Sequence, residues 1–156
     1  MAKKCDNKSV GMLVWNEGNL LLIERKRPPY GFAPPAGHLD EDGDEYETSA
    51  RRELWEEVGL TAKSLELKIE GRKENHCRRE GGTHHYWKVY EVIASGKIKR
   101  NIDETKQVGW YSRDKLGEFA KRTEDYIAGN VSEIEWQSSP GIEPVWYELM
   151  KELSII

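Results

Sequence analysis

Cysteine is scarce: Cys5 and Cys77 are the only two in 156 residues, too few for a fold stapled by disulfides. No apolar run approaches the ~20 residues that span a bilayer as a helix. Excess positive charge is also missing. Lys and Arg number 24 against 28 Asp and Glu, a net charge of −4, which argues against a protein that coats nucleic acid through a basic surface. Nucleotides stay open, because a metal ion can supply positive charge locally. Internal repeats and low-complexity tracts are absent. The opening Met-Ala-Lys-Lys-Cys-Asp-Asn-Lys carries charge with no apolar core behind it, so no signal peptide is expected. The expectation is one cytoplasmic domain over residues 1–156, long enough to bury about 70% of the surface its unfolded chain exposes.

What is present reads as a layered α/β chain with a mixed sheet. Val10–Trp15 and Asn19–Ile23 are apolar on both faces and flank Asn16-Glu17-Gly18, the pattern of a β-hairpin covered on both sides. Residues 28–37 hold four of the six prolines and read as a loop. Residues 45–58 read as a helix, with Asp44 and Glu47 as a capping box, Glu47–Arg51 as an i,i+4 pair and Gly59 as the left-handed stop. Leu65, Leu67 and Ile69 alternate as a strand with one buried face. Thr83–Ala94 and Val108–Tyr111 are further strands. Leu116, Phe119, Ala120, Thr123 and Ile127 line a helix capped by Ser112. A polar connection follows over Gly129–Pro144, and Trp146, Leu149, Met150 and Leu153 stripe a last helix.

The segment with chemical content lies between Gly37 and Leu60. Glu53, Glu56 and Glu57 stand at i, i+3 and i+4 and share one helix face, while Ala50, Leu54 and Val58 form a separate apolar stripe. Three crowded carboxylates repel one another unless a cation sits between them. A hard divalent ion such as Mg²⁺ prefers such oxygen ligands, and Arg52 stands beside the cluster to orient one carboxylate. A glutamate-rich face alone is ordinarily solvated surface; the preceding Pro/Gly loop, the Gly43 turn and the Gly59 stop add the context of a ligand-binding loop.

These residues resemble the Nudix hydrolases of the MutT-like kind, whose box reads G-x5-E-x7-R-E-U-x-E-E-x-G-U with U aliphatic. Arg52-Glu53-Leu54-Trp55-Glu56-Glu57-Val58-Gly59-Leu60 matches the second half at each fixed position. The first half departs: Asp44 stands where the family has glutamate, and Gly37 lies seven residues before it instead of six, one extra residue in the Leu39–Gly43 loop. The resemblance implies an α/β/α sandwich whose mixed sheet carries the box as a loop–helix–loop. It also implies Mg²⁺- or Mn²⁺-dependent hydrolysis of a diphosphate bond by a metal-activated water. Carried over, Glu53, Glu56 and Glu57 are metal ligands, Arg52 holds Glu53, and the Ala36 carbonyl supplies a further metal oxygen. Glu53 and Glu56 are the box candidates for the base. Glu104, six residues before Trp110, is a second candidate for metal binding or water activation, with an exposed loop acid as the alternative.

Substrate identity is less constrained. Arg25, Lys26 and Arg27 follow the second strand and can meet phosphates, Arg25 and Arg27 being the chosen contacts; a solvated basic run is the alternative. Trp15, Tyr30, Phe32, Tyr86 and Trp87 can stack a base or pack a core. His76, Cys77, His84 and His85 lack the paired spacing of a zinc site, and a hairpin turn at Gly81-Gly82 explains them more simply. The expected substrate is a nucleoside tri- or diphosphate or a related derivative, a small molecule met by a monomer or homodimer, with neither nucleic acid nor membrane as partner. An ADP-ribose or nucleotide-sugar pyrophosphatase is the alternative, disfavoured by a first strand that begins near Ser9. A non-catalytic nucleotide sensor is a third reading, disfavoured by the retained glutamates.

Overall fold

Strands that are apolar on both faces must be covered from both sides, and this requirement organises the chain. β1 (Lys8–Leu13) sends Val10 and Met12 to one face and Leu13 to the other. β3 (Asn19–Arg25) divides likewise, with Leu21 and Ile23 on the first side and Leu20 and Leu22 on the second. The computed structural model describes residues 3–156; the first two residues of the expected domain and of the charged N-terminal run lie outside the described residues. Between these strands come β2 (Trp15–Asn16), and after them β4 (Phe32–Ala33), β5 (Ala36–His38), a 3₁₀ turn (Asp40–Asp42) and α1 (Tyr46–Val58). The remaining elements are β6 (Thr61–Lys73), β7 (His85–Ser95), β8 (Thr105–Tyr111), α2 (Arg113–Ile127), α3 (Glu133–Ser138) and α4 (Pro144–Glu152).

Two sheets result. One runs β5-β1-β7-β6 and is mixed, β1 pairing parallel with β7 and antiparallel with β5. The other is antiparallel: β3 pairs β8 on one edge and β2 and β4 on the other. α1 packs Ala50, Leu54 and Val58 against the first face with Val10, Met12, Tyr90 and Val92. α2 and α4 cover the opposite face, where Leu116, Trp146, Leu149 and Met150 meet Leu20, Leu22, Trp87 and Val89. The layers are helix, sheet, helix. No helix among the described residues is long and apolar enough to cross a membrane.

Several local readings change. The hairpin closes over only Trp15↔Leu20 and Asn16↔Asn19, through Glu17 and Gly18 at φ 52° and 80°. The chain leaves strand geometry at Val14, so β1 joins a different sheet from β3. The proline-rich stretch is not all loop, because Phe32–Ala33 and Ala36–His38 form short strands on either side of Pro34 and Pro35. Asp44 does not cap α1; its carboxylate binds Lys8 Nζ at 2.6 Å. Arg51 donates to the Ala62 carbonyl at 2.8 Å instead of pairing with Glu47. Leu67 is exposed, since an irregularity between Leu67 and Ile69 breaks the alternation. Ile127 is exposed as well. The expected polar connection contains α3, anchored by buried Trp136, whose ring stacks on Tyr126 and whose Nε1 donates to the Tyr30 carbonyl at 3.1 Å. Ser112 does cap α2, accepting from the Lys115 amide, and Gly59 takes the left-handed φ of 75°.

Gly11 is where β1 and α4 come closest. A Cβ there would overlap the ring of Trp146, a fully buried indole that would have to shift. Gly11→Ala should therefore lower stability by about 1–3 kcal/mol through overpacking, read as a fall in thermal midpoint; an unchanged midpoint would contradict this close packing.

Candidate functional site

The apolar stripe of α1 fixes which way its carboxylates face. With Ala50, Leu54 and Val58 fully buried, Glu53, Glu56 and Glu57 line a cleft of about 440 Å³ together with Arg25, Ala36, Gly37, Arg52, Glu104 and Glu143. That volume falls in the ordinary range of small-molecule sites. Lys3, Arg78 and Arg79 also line the opening, where Lys3 pairs with Asp40 and Glu41 and Arg79 with Asp40. The cleft thus gathers every candidate residue except one. Arg27 is exposed and not among the lining residues, because β3 ends at Arg25 and the chain then turns away.

Arg52 organises the floor. Its Nη1 donates to Glu53 Oε1 at 2.9 Å and Glu56 Oε2 at 3.3 Å. Its Nε donates to Asp42 Oδ2 at 3.0 Å, and its Nη2 to the carbonyls of His38 at 3.1 Å and Leu39 at 3.4 Å. Ser49 Oγ donates to the same Asp42 carboxylate at 2.8 Å. Asp42 was invisible as a participant in the sequence, since it sits in the loop where the family pattern is broken. The Ser49 and Arg52 hydrogen bonds hold its carboxyl below the usual range. Burial opposes the charge on Arg52, yet Asp42 and Glu53 more than compensate and raise its pKa.

The glutamates behave oppositely. Burial pushes Glu53 up to about 7, with Arg52 pulling it down and Glu56 pushing it further up. Burial also raises Glu57 well above the carboxylate range; Glu53 and Glu104 add repulsion, while Arg25 and a backbone hydrogen bond from Ala36 oppose it. Gly37 makes room for this arrangement, because a Cβ there would overlap the Glu53 carboxyl. Arg25 Nε is buried with no hydrogen-bond partner. Glu143, from the N-terminal end of α4, is buried near Arg25, and burial raises its carboxyl too. Its sequence context gave no signal of this.

The aromatic candidates mostly pack. Phe32 is buried and stacks on Phe119 at 4.3 Å, Trp87 packs edge-on to Trp146 and donates Nε1 to Asn75 at 3.1 Å, and Trp15 lies under Arg113. Trp87 nonetheless reaches the cleft lining. Beside the carboxylates lies a second cluster that sequence spacing obscured: Cys5, His38, Cys77 and His85 converge, whereas His76 and His84 stay out of it.

Comparison with known proteins follows the same lines. The family model for the NUDIX domain matches residues 6–131. A relative from Caulobacter vibrioides described as an RNA pyrophosphohydrolase is 34% identical over 117 residues, which cover 70% of this chain. The chain spans only 58% of that relative's length. Among solved structures, a MutT NUDIX hydrolase from Burkholderia pseudomallei superposes with a TM-score of 0.59 at 27% identity, covering 69% of this chain and 84% of its own. A NUDIX hydrolase from Nitrosomonas europaea gives 0.60 at 22% identity, covering 82% and 91%.

A carboxyl whose pKa rises on folding binds more protons in the native state, so it costs stability as pH climbs from its unfolded value towards about 7. Glu53→Gln should accordingly raise the stability of the protein at pH 8, without added divalent cation, by about 1–3 kcal/mol. The gain should shrink towards pH 5. Denaturant melts of both proteins across that range check it; a variant that is less stable at pH 8 would contradict the electrostatics.

Proposed function

This chain belongs to the NUDIX domain family, and on that footing we propose that it is a pyrophosphohydrolase. Its substrate is a nucleoside tri- or diphosphate or a related nucleoside-diphosphate derivative, and it works with Mg²⁺ or Mn²⁺. One observation carries the reading: Glu53 and Glu57 line one cleft with Glu56 and Glu104, burial raises the pKa of both, and neighbouring carboxylates push them further up. Such an arrangement is unfavourable unless a cation joins it. The donors are hard oxygens, which suits Mg²⁺ or Mn²⁺ over softer metals. Glu53, Glu56 and Glu57 would hold the ion, with the Ala36 carbonyl and Glu104 as further oxygen donors. When bound, it supplies charge neutralisation for a diphosphate and acidifies a coordinated water.

The chain's own residues do the rest. Arg52 fixes the Glu53 and Glu56 carboxylates, so neither must reorganise as substrate arrives. A carboxyl with a pKa of about 7 suits a proton acceptor at neutral pH, which favours Glu53 as the base; Glu56 and Glu104 are candidates by their position in the cleft. Arg25 offers an unpartnered N–H to a phosphate oxygen, and Arg78 adds positive charge beside Lys3 and Arg79, which pair with Asp40. The name of the Caulobacter relative favours a second reading, in which the triphosphate belongs to the 5′ end of an RNA. ADP-ribose and sugar nucleotides form the third class.

A phosphate- and pyrophosphate-release panel over nucleoside tri- and diphosphates, ADP-ribose, sugar nucleotides and 5′-triphosphorylated RNA, with Mg²⁺ and with Mn²⁺, tests the proposal. Metal-dependent turnover should appear, and Glu56→Gln should reduce it by about 100-fold or more with the fold intact. Turnover at the wild-type level in that variant would refute the ligand assignment, and tight nucleotide binding without turnover would favour a sensor. Gly37→Ala separates geometry from charge. It should melt near the wild-type temperature, since a side-chain end can yield, yet need more metal for half-maximal rate because Glu53 is displaced. An unchanged metal requirement would contradict that displacement.

A further inference from the structure

We propose that Cys5, His38, Cys77 and His85 form a second metal site, a closed four-ligand site that takes zinc and clamps the rim of the cleft. The ligand atoms of all four lie within 4.8 Å of one another. Cys5 Sγ stands 3.3 Å from His85 Nε2 and 3.5 Å from His38 Nε2. Tetrahedral zinc at ordinary Zn–S and Zn–N lengths separates its ligands by about 3.3–3.8 Å, so the cluster needs only slight contraction around an ion. Two thiolates and two imidazoles are a soft donor set that suits zinc and disfavours Mg²⁺, and no carboxylate of the α1 cluster belongs to it.

Hydrogen bonding prepares the donors. His85 Nδ1 lies 3.0 Å from the Asn75 carbonyl. A carbonyl only accepts, so Nδ1 carries the proton and the neutral ring turns a bare Nε2 lone pair towards the two sulfurs. This is the outer contact that metal-binding histidines characteristically make. The Asn7 amide donates to Cys5 Sγ at 3.3 Å, against the burial that pushes this thiol up to about 11, so an ion takes the sulfur only as its proton leaves. The backbone also builds the site: the Cys5 amide donates to the Glu80 carbonyl at 2.8 Å, and the Asn7 side chain donates to the carbonyls of Gly81 and His84 at 2.9 Å. The Cys77 amide in turn donates to the Gly82 carbonyl at 2.8 Å, folding the loop between β6 and β7 back on itself.

The four ligands come from four segments: the chain before β1, the end of β5, the β6–β7 loop and the start of β7. Four protein ligands leave no open position, which is the mark of a structural site. Its consequence reaches the carboxylates through β5, because the His38 carbonyl receives Arg52 Nη2. It also fixes the loop that carries Asn75 and Arg79 at the cleft rim. The inference does not rest on the hydrolase reading, and its test needs no substrate.

The test is metal content and cobalt spectroscopy on the full chain purified in reductant. Wild-type protein should carry one zinc per chain. After chelation, Co²⁺ should give the intense ligand-field bands of a tetrahedral site with thiolate charge-transfer absorption of two-sulfur strength. Cys77→Ser and His85→Gln should each weaken Co²⁺ affinity by about 100-fold or more, while Glu56→Gln keeps it. Should those two variants fail to fold, the wild-type spectrum and the fall of its melting temperature on zinc removal decide alone. A wild-type protein that takes up neither zinc nor Co²⁺ under reductant overturns the site. So does uptake lost with Glu56→Gln but kept in the two cluster variants, or a Cys5–Cys77 disulfide, two mass units lighter, in place of metal.

Discussion

The Arg52 guanidinium is the interaction on which the rest of the site depends. Five acceptors from two segments converge on it: the carbonyls of His38 and Leu39 and the carboxylate of Asp42 from the loop, and the carboxylates of Glu53 and Glu56 from the helix. A planar fork of donors can meet this many directions at once, where a lysine ammonium would serve them poorly. The loop's extra residue is absorbed here. The Asp40–Asp42 turn delivers Asp42 to Arg52 and Ser49, so an insertion that breaks the family spacing still ends in a tightly held contact.

What Arg52 holds, the sheet orients. Burial of Ala50, Leu54 and Val58 leaves α1 little rotational freedom, and the helix must present its glutamates to the cleft between β5 and the end of β3. Charge that cannot escape to solvent is thereby stored at the floor. Arg52 and Arg25 offset part of it, and burial, with repulsion added to it, shows in the raised carboxyls of Glu53 and Glu57. Stability is given up locally at these carboxyls, and the apolar stripes on both sheet faces supply the compensation.

Much of this was legible in the sequence where the signal was local. The helix stop at Gly59, the Ser112 cap, the apolar stripe and the shared face of the three glutamates follow from spacing alone. The departures arise where a distant partner won. Asp44 gave up capping for Lys8, and Arg51 left Glu47 for the Ala62 carbonyl. Trp136 pulled a polar segment into a helix by burying itself beneath Tyr126. The cysteine–histidine cluster was unreadable for the same reason: its ligands are spread from residue 5 to residue 85, and only the docking of the N-terminal segment on the β6–β7 loop unites them. His76 and His84, which looked like its members, do not join. Arg27 lies outside the cleft lining because the strand that would have aimed it ends two residues earlier.

The most direct measurement of the central claim is proton release on metal binding. Calorimetric titration of Mn²⁺ into the protein in buffers of differing ionisation heat, between pH 6 and 8, reads it without any substrate. Carboxyls that hold protons near neutrality must lose them to bind an ion. Binding should therefore eject protons at pH 6.5, and Glu57→Gln should reduce the number. Mn²⁺ that binds with no proton release, or binds alike in that variant, would contradict a cation site built from strained carboxylates.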